Sequence, residues 1–274
     1  MPAQPDLPLR PMTLGELLDA AMTLLRARAL PLLLTAGVLA ALEQALLMPL
    51  RHAAFAGPPL YGPARDSLGS WWVLVAAGFA AEGFIICVLG SLAAAAAGPA
   101  LIGRPVRHRE LWGRTRPVPT LLAALALGVA CGAAAFAGFL GWILVYGLFG
   151  LVSAVLVIDR AGSFGRSARL AARGGMRGMW TRLAAYLTWL AVRVVLGAGW
   201  VAVFAAVTGD QPGWLVWITP VAWGAANAVA YAALGCVDAV LLLETRIRTE
   251  GLDIAVARIR GRGEDPAAAL GYVP

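Results

Sequence analysis

Apolar blocks of spanning length, separated by short polar segments, dominate the pattern of this chain. The first covers 30–50 and the second runs from the Trp71-Trp72 pair to about 93. Tryptophan favours the membrane–water boundary, so the pair marks the start of that span. The apolar run continues through Gly98-Pro99 as a bent extension. Residues 118–158 are 41 almost wholly apolar positions. One span needs about 20 residues, so this block predicts a hairpin of two spans with its turn near Gly138 and Gly141. Within it, Gly128-x-x-x-Gly132 offers a close helix contact. The fifth span covers 183–206 and the sixth runs from Trp214 to about 243. The polar loops are 51–70, with Pro58, Pro59, Gly62 and Pro63, and Thr208 to Gly213. The fold class predicted is all-α: a polytopic membrane bundle of about six spans with amphipathic helices at one surface.

Two polar segments carry helical periodicity of their own. Residues 1–12 are Pro-rich and irregular. Thr13 and Glu16 then form a T-x-x-E capping box, in which each side chain satisfies a free backbone N–H. Leu14, Leu17, Leu18, Ala21, Leu24 and Leu25 recur on one face, with Glu16, Asp19, Thr23 and Arg26 opposite. Such a helix is too polar to span and belongs at a membrane surface or against a partner. In 159–182, Arg166, Arg169, Arg173 and Arg177 share a face, and Phe164, Ala168, Ala171, Ala172, Met176 and Met179 share the opposite one. This segment is expected to lie along the inner leaflet against anionic headgroups, with Gly174-Gly175 able to break it. The organisation is therefore an N-terminal segment at 1–29, a membrane domain at 30–243 and a polar tail at 244–274. The first 29 residues contain acidic groups and a helical pattern, unlike a cleavable signal.

Composition supports the membrane reading and supplies orientation. Only 14% of the residues are charged and the mean hydropathy is +0.77, against about a quarter charged in soluble domains. All 22 basic residues are Arg, a bias that suggests a GC-rich bacterial genome. Nineteen of them fall on the side of both termini, against Arg51 and Arg65 on the other, with Arg193 inside a span. Arginine is retained in the cytoplasm, so both ends are expected there, in a bacterial inner membrane. The net charge of +7 reflects this retention; no basic patch with interleaved aromatics points to nucleic acid. Cys87, Cys131 and Cys236 lie in apolar runs and read as small core residues.

No metal-binding, nucleotide-binding or nucleophilic motif is present, so no cofactor and no enzymatic activity are expected. The sharp signals are polar residues inside spans: Glu43, Glu82, Arg193 and Asn227. A charge at mid-bilayer costs roughly 2.5–3.5 kcal/mol on insertion scales and is a functional candidate; the plainer reading is an ion pair that only holds helices together. Glu82 lies about 16 Å from the outer face and Arg193 about 15 Å from the inner one at 1.5 Å per residue. The two are expected to pair, with Asn227 able to add a hydrogen bond. Glu43, nearer the outside, is a poorer match that Arg193 reaches only by bending outward, and snorkelling to the surface is the other alternative. Asp238, about 36 Å along the sixth helix, is expected at the surface. In the tail, Arg246, Arg248, Glu250, Gly251 and Asp253 read as a solvated helix end stopped by Gly251. The alternative is a docking element for a cytoplasmic partner or for the chain's own surface helices.

Three stretches carry a resemblance. They are Leu9-Arg-Pro-Met-Thr-Leu-Gly-Glu-Leu-Leu-Asp-Ala-Ala21, Ile158-Asp-Arg-Ala-Gly-Ser-Phe-Gly-Arg-Ser-Ala-Arg-Leu170 followed by Trp180, and Arg246-Ile-Arg-Thr-Glu-Gly-Leu-Asp253. Together they resemble the bacterial six-span family named after the membrane domain of glycerophosphoryl diester phosphodiesterases, related to YciC-like proteins. The chain departs at Glu244, where similar tails have Asp, and at Ala168, where an aromatic is common. The phosphodiesterase acts through a separate soluble barrel, which needs about 250 residues; these 274 residues hold no such segment. The resemblance implies a membrane domain whose role the family name does not give. A scaffold or accessory subunit, with membrane or cytoplasmic protein partners, is the leading expectation. A small-solute or lipid transporter using the intramembrane polar residues is the alternative.

Overall fold

Thr13 starts the first helix as its spacing to Glu16 predicts. In the computed structural model the Thr13 N–H donates to Glu16 Oε2 at 2.8 Å and the Glu16 N–H donates to Thr13 Oγ1 at 3.3 Å. Helix α1 (Leu14–Ala27) buries Leu17, Ala20, Ala21, Leu24 and Leu25 against the bundle. Leu14, assigned to that stripe by spacing, is exposed instead. The structure describes residues 7–58, 60–64, 66–104, 106–160, 164–208 and 212–271. The Pro-rich start at 1–6, Pro59, Arg65, motif positions 161–163 and loop positions 209–211 lie outside them.

Six helical stretches are long and apolar enough to cross a membrane, and no strand is found among the described residues. They are α2 (Ala29–Ala53), α3 (Leu68–Leu101), α5 (Pro117–Ala137), the run Phe139–Asp159, the part Gly175–Val207 of α8 (Phe164–Thr208), and α9 (Pro212–Glu250). The double-length block is indeed a hairpin. Its turn is Gly138, whose φ of 136° lies where a Cβ would be strained. The returning arm is α6 (Phe139–Phe149), the short α7 (Val152–Ala154), then a π-helical turn Val155–Asp159. Between α3 and α5 the chain makes the short helix α4 (His108–Arg114).

Helix α9 is the centre of the bundle: 94% of its most apolar window is buried, against 11% for the span of α8, which stands at the edge. Helices α3 and α5 approach closely at Gly128 and Gly132. A Cβ on Gly128 would sit 2.7 Å from the Ala80 carbonyl oxygen, and one on Gly132 would sit 2.8 Å from the Ala80 Cβ. The backbone turns left-handed at Gly175 and Met176, a local distortion where a break was expected, and α8 runs on through it.

Two boundaries are corrected. The sixth helix extends to Glu250, and Gly251 (φ 64°) ends it as expected. The tail does not run off into solvent as a helix end. It folds back as α10 (Leu252–Gly261) and a 3-10 turn at Pro266–Ala269. Both termini meet at one end of the bundle: Arg177 and Arg248 donate to the Met12 carbonyl, and Arg246 donates to those of Ala269 and Leu270.

Candidate functional site

That end holds most of the ion pairs found among the described residues. The π turn carries one residue more than an α turn would and delivers Asp159 into the protein. Arg160 (φ 54°) then turns the chain away. Asp159 receives Arg166 at 2.7 Å from the start of α8 and Arg246 at 2.8 Å from the last turns of α9. Glu250 sits one turn after Arg246 and pairs with it at 3.1 Å. It also takes both terminal nitrogens of Arg166, at 2.7 and 2.9 Å, a bidentate geometry that fixes orientation as well as energy. Arg173 adds a contact to Glu250 at 3.1 Å. A second carboxylate, Glu244, holds Arg248 at 2.8 Å and Arg177 at 3.6 Å. Asp159, Arg166 and Arg246 are buried. Arg166 lies outside the span of α8, and its paired carboxylates hold its guanidinium well above the ordinary range despite burial.

The geometry corrects two surface readings. The Arg166–Arg177 face is not a row of free cations. Arg166, Arg173 and Arg177 reach carboxylates of α9, Arg166 is buried, and Arg169 remains exposed. In the tail, Arg246 is buried and Glu250 half-buried against the chain's own helices, the alternative the sequence left open, while Arg248 stays exposed although it bonds Glu244 and the Met12 carbonyl. Asp253 lies in the first turn of α10, where an acid suits the helix dipole. It forms no ion pair among the described residues.

Deeper in the bundle, Arg193 pairs with Glu82 at 2.8 and 3.2 Å. The Tyr186 hydroxyl accepts from Arg193 at 3.0 Å and donates to Glu82 at 3.1 Å. Asn227 does not join this pair. It donates to Glu43 at 3.1 Å, and Tyr231 donates to the other oxygen of Glu43 at 2.8 Å. Asn227 therefore lies level with Glu43, which a count of residues from the predicted outer boundary did not indicate. The ring of Tyr231 lies 5.8 Å from the Arg193 guanidinium, which links the two groups. Glu43 also lines a groove of about 270 Å³ among Leu42, Leu46, Phe84, Leu125 and Val129. Leu42, Leu46, Leu125 and Val129 are exposed on the lateral surface, so this groove opens toward the bilayer.

A third pair was not foreseen. Arg182, counted from sequence with the surface arginines, is fully buried and meets Asp238 at 2.5 and 2.9 Å. Its guanidinium also donates to the Tyr146 carbonyl and lies 3.7 Å over the Tyr146 ring. Asp238 is 1% exposed, so it is no surface residue. Helix α9 is longer than the sixth block, which places Asp238 inside the protein. Opposite charges near the start of the fifth predicted span and the end of the sixth were the available signal. Comparisons with protein-family models, curated proteins and solved structures find no match.

Proposed function

We propose that this chain is a non-enzymatic membrane protein that scaffolds or assists a membrane-associated complex. The carrying observation is the Asp159–Arg166–Arg246–Glu250 cluster. It gathers residues from two of the stretches that resemble the six-span family, and Arg248 and Arg177 add the third through Met12. The cluster and its neighbours clamp the N-terminal segment, the start of α8 and the folded-back tail into one preformed surface. A preformed surface built from elements outside the bilayer suits a protein partner, because little ordering entropy remains to be lost on binding. The arginine asymmetry supports placing this surface in the cytoplasm, beside a bacterial inner membrane. Exposed Arg169 and Arg173 there suit anionic headgroups, at roughly 1 kcal/mol of attraction each.

Photo-cross-linkers at the exposed positions Arg169 and Ile254 test the reading. A single stoichiometric protein adduct is expected; adducts with lipid alone would overturn it. Orientation is tested by thiol labelling of Leu60→Cys, since the native cysteines are buried. Labelling only from the cytoplasmic side would reverse the assignment.

The transporter reading keeps one observation of its own. Glu43 is held by neutral partners at the wall of a groove open to lipid. A lipid or solute retained by the purified protein, and lost on Glu43→Gln, would favour it.

A further inference from the structure

The end of the bundle opposite the ion cluster holds a cavity of about 300 Å³, lined by Met48, Arg51, His52, Phe55, Tyr61 and Val216 among others. Arg51 is 7% exposed, yet no carboxylate of a described residue pairs with it. Its Nη2 donates to Gln44 Oε1 at 2.7 Å, and the Tyr61 ring covers the guanidinium at 4.1 Å. Nη1 is buried with no hydrogen-bond partner. The acid nearest along the helix, Glu43, is about 12 Å away at 1.5 Å per residue and already accepts from Tyr231 and Asn227. A buried guanidinium without a counter-charge is strongly disfavoured. Among the described residues, Arg166, Arg182, Arg193 and Arg246 each meet a carboxylate, while Arg28 is a second buried guanidinium that meets none; of the two, only Arg51 lines a cavity as well.

We propose that this cavity binds an anionic amphiphile, with its oxyanion head on Arg51 and its chain against Met48, Phe55 and Val216. Arg51 would draw any anion, and two features support an amphiphile over a small soluble one: the walls are mostly apolar, and Phe55 is 79% exposed at the rim, where an alkyl chain would cover it. The head is a phosphate or a carboxylate, and Gln44 and Tyr61 hold the guanidinium in place for either. The site stands at the last turn of α2, at the level where lipid headgroups and their first methylenes lie.

The test uses the full chain in an uncharged detergent, with native mass spectrometry against phosphatidylglycerol, oleate and inorganic phosphate in parallel. One tightly retained amphiphile per chain is expected. The phosphatidylglycerol and oleate arms tell whether a phospholipid or a free fatty acid is preferred. Arg51→Gln should weaken retention at least tenfold and Arg104→Gln, at the other end beside Asp265 of the tail, should leave it unchanged. Val216→Trp, which fills the cavity and keeps the cation, should weaken it as well and guards against a folding defect in the first variant. Equal retention by wild type and both cavity variants would overturn the proposal. So would inorganic phosphate competing as well as either amphiphile.

Discussion

At the scale of single residues, the bundle interior contains ion pairs whose members depend on each other. Glu82 and Arg193 were legible because an acid and a base of matching depth stand in adjacent predicted layers. Arg182 and Asp238 were not, because both lie within a few residues of predicted span ends, where snorkelling to the surface is the default. Packing decided the matter: Arg182 crosses Gly150, where any Cβ would collide with the guanidinium, so the side chain has a path inward that sequence spacing does not show. Removing one member of a buried pair leaves the other uncompensated, at a cost of about 3–5 kcal/mol. Glu82→Gln and Arg193→Gln are each expected to lower the folded yield more than the double change, and Arg182→Gln and Asp238→Asn likewise. Additive losses in either cycle, read by size-exclusion monodispersity in detergent, would show that the pair is not coupled. An exposed carboxylate provides a titration counterpart outside the membrane. Arg10 bonds Glu16 at 2.6 Å, and with Thr13 holds its carboxyl at about 2. The folded value is depressed, so the cap's contribution is present above the ordinary carboxylate range and is lost as pH falls from there through about 2. Carbon NMR of labelled Glu16 should titrate near that value, and Arg10→Gln should move the midpoint back upward.

At the scale of elements, hydrophobic block length was sufficient for the spans, and turn chemistry for the hairpin. The 41 apolar positions could be divided because one helix cannot use that length and because Gly138 was available to take a positive φ. The extent of α9 was not legible. Its last residues are polar, yet they stay helical because Arg246, Arg248 and Glu250 find partners on α8 and along α9 itself, a tertiary effect that overrides composition. The Gly128-x-x-x-Gly132 seam shows the reverse case, in which a weak motif marks a real contact. Gly128→Ala should destabilise by about 1–3 kcal/mol, because the opposing atom is a backbone oxygen that cannot rotate aside. Gly199, in α8, has open space where a Cβ would go. Gly199→Ala should therefore leave stability unchanged or raise it by up to about 1 kcal/mol through helix propensity. Thermal unfolding in detergent distinguishes the two; equal shifts for both would mean that the seam is not closely packed.

At the scale of the whole molecule, residues separated by more than two hundred positions in sequence meet at one end. The motif stretches could be read individually, but their convergence needs the even number of spans to bring both termini to the same face, and the π turn to aim Asp159 inward. Arg246 is the joint of this arrangement. It bonds Asp159, Glu250 and the carbonyls of Ala269 and Leu270, so it couples the hairpin, the central helix and the tail. Arg104 and Asp265 also tie the tail, at 2.6 Å, but both are half exposed, and such surface pairs contribute about 0–1 kcal/mol. The prediction follows from that contrast. Arg246→Gln should release residues 252–271, because its bonds to the tail are lost and Asp159 is left with Arg166 alone. Limited proteolysis of the detergent-solubilised protein should then cut the tail at least tenfold faster while the spans stay protected. Arg104→Gln should change the rate less than twofold. If both variants are cleaved at the wild-type rate, the tail is held by its apolar contacts on the bundle and the cluster does not organise this surface.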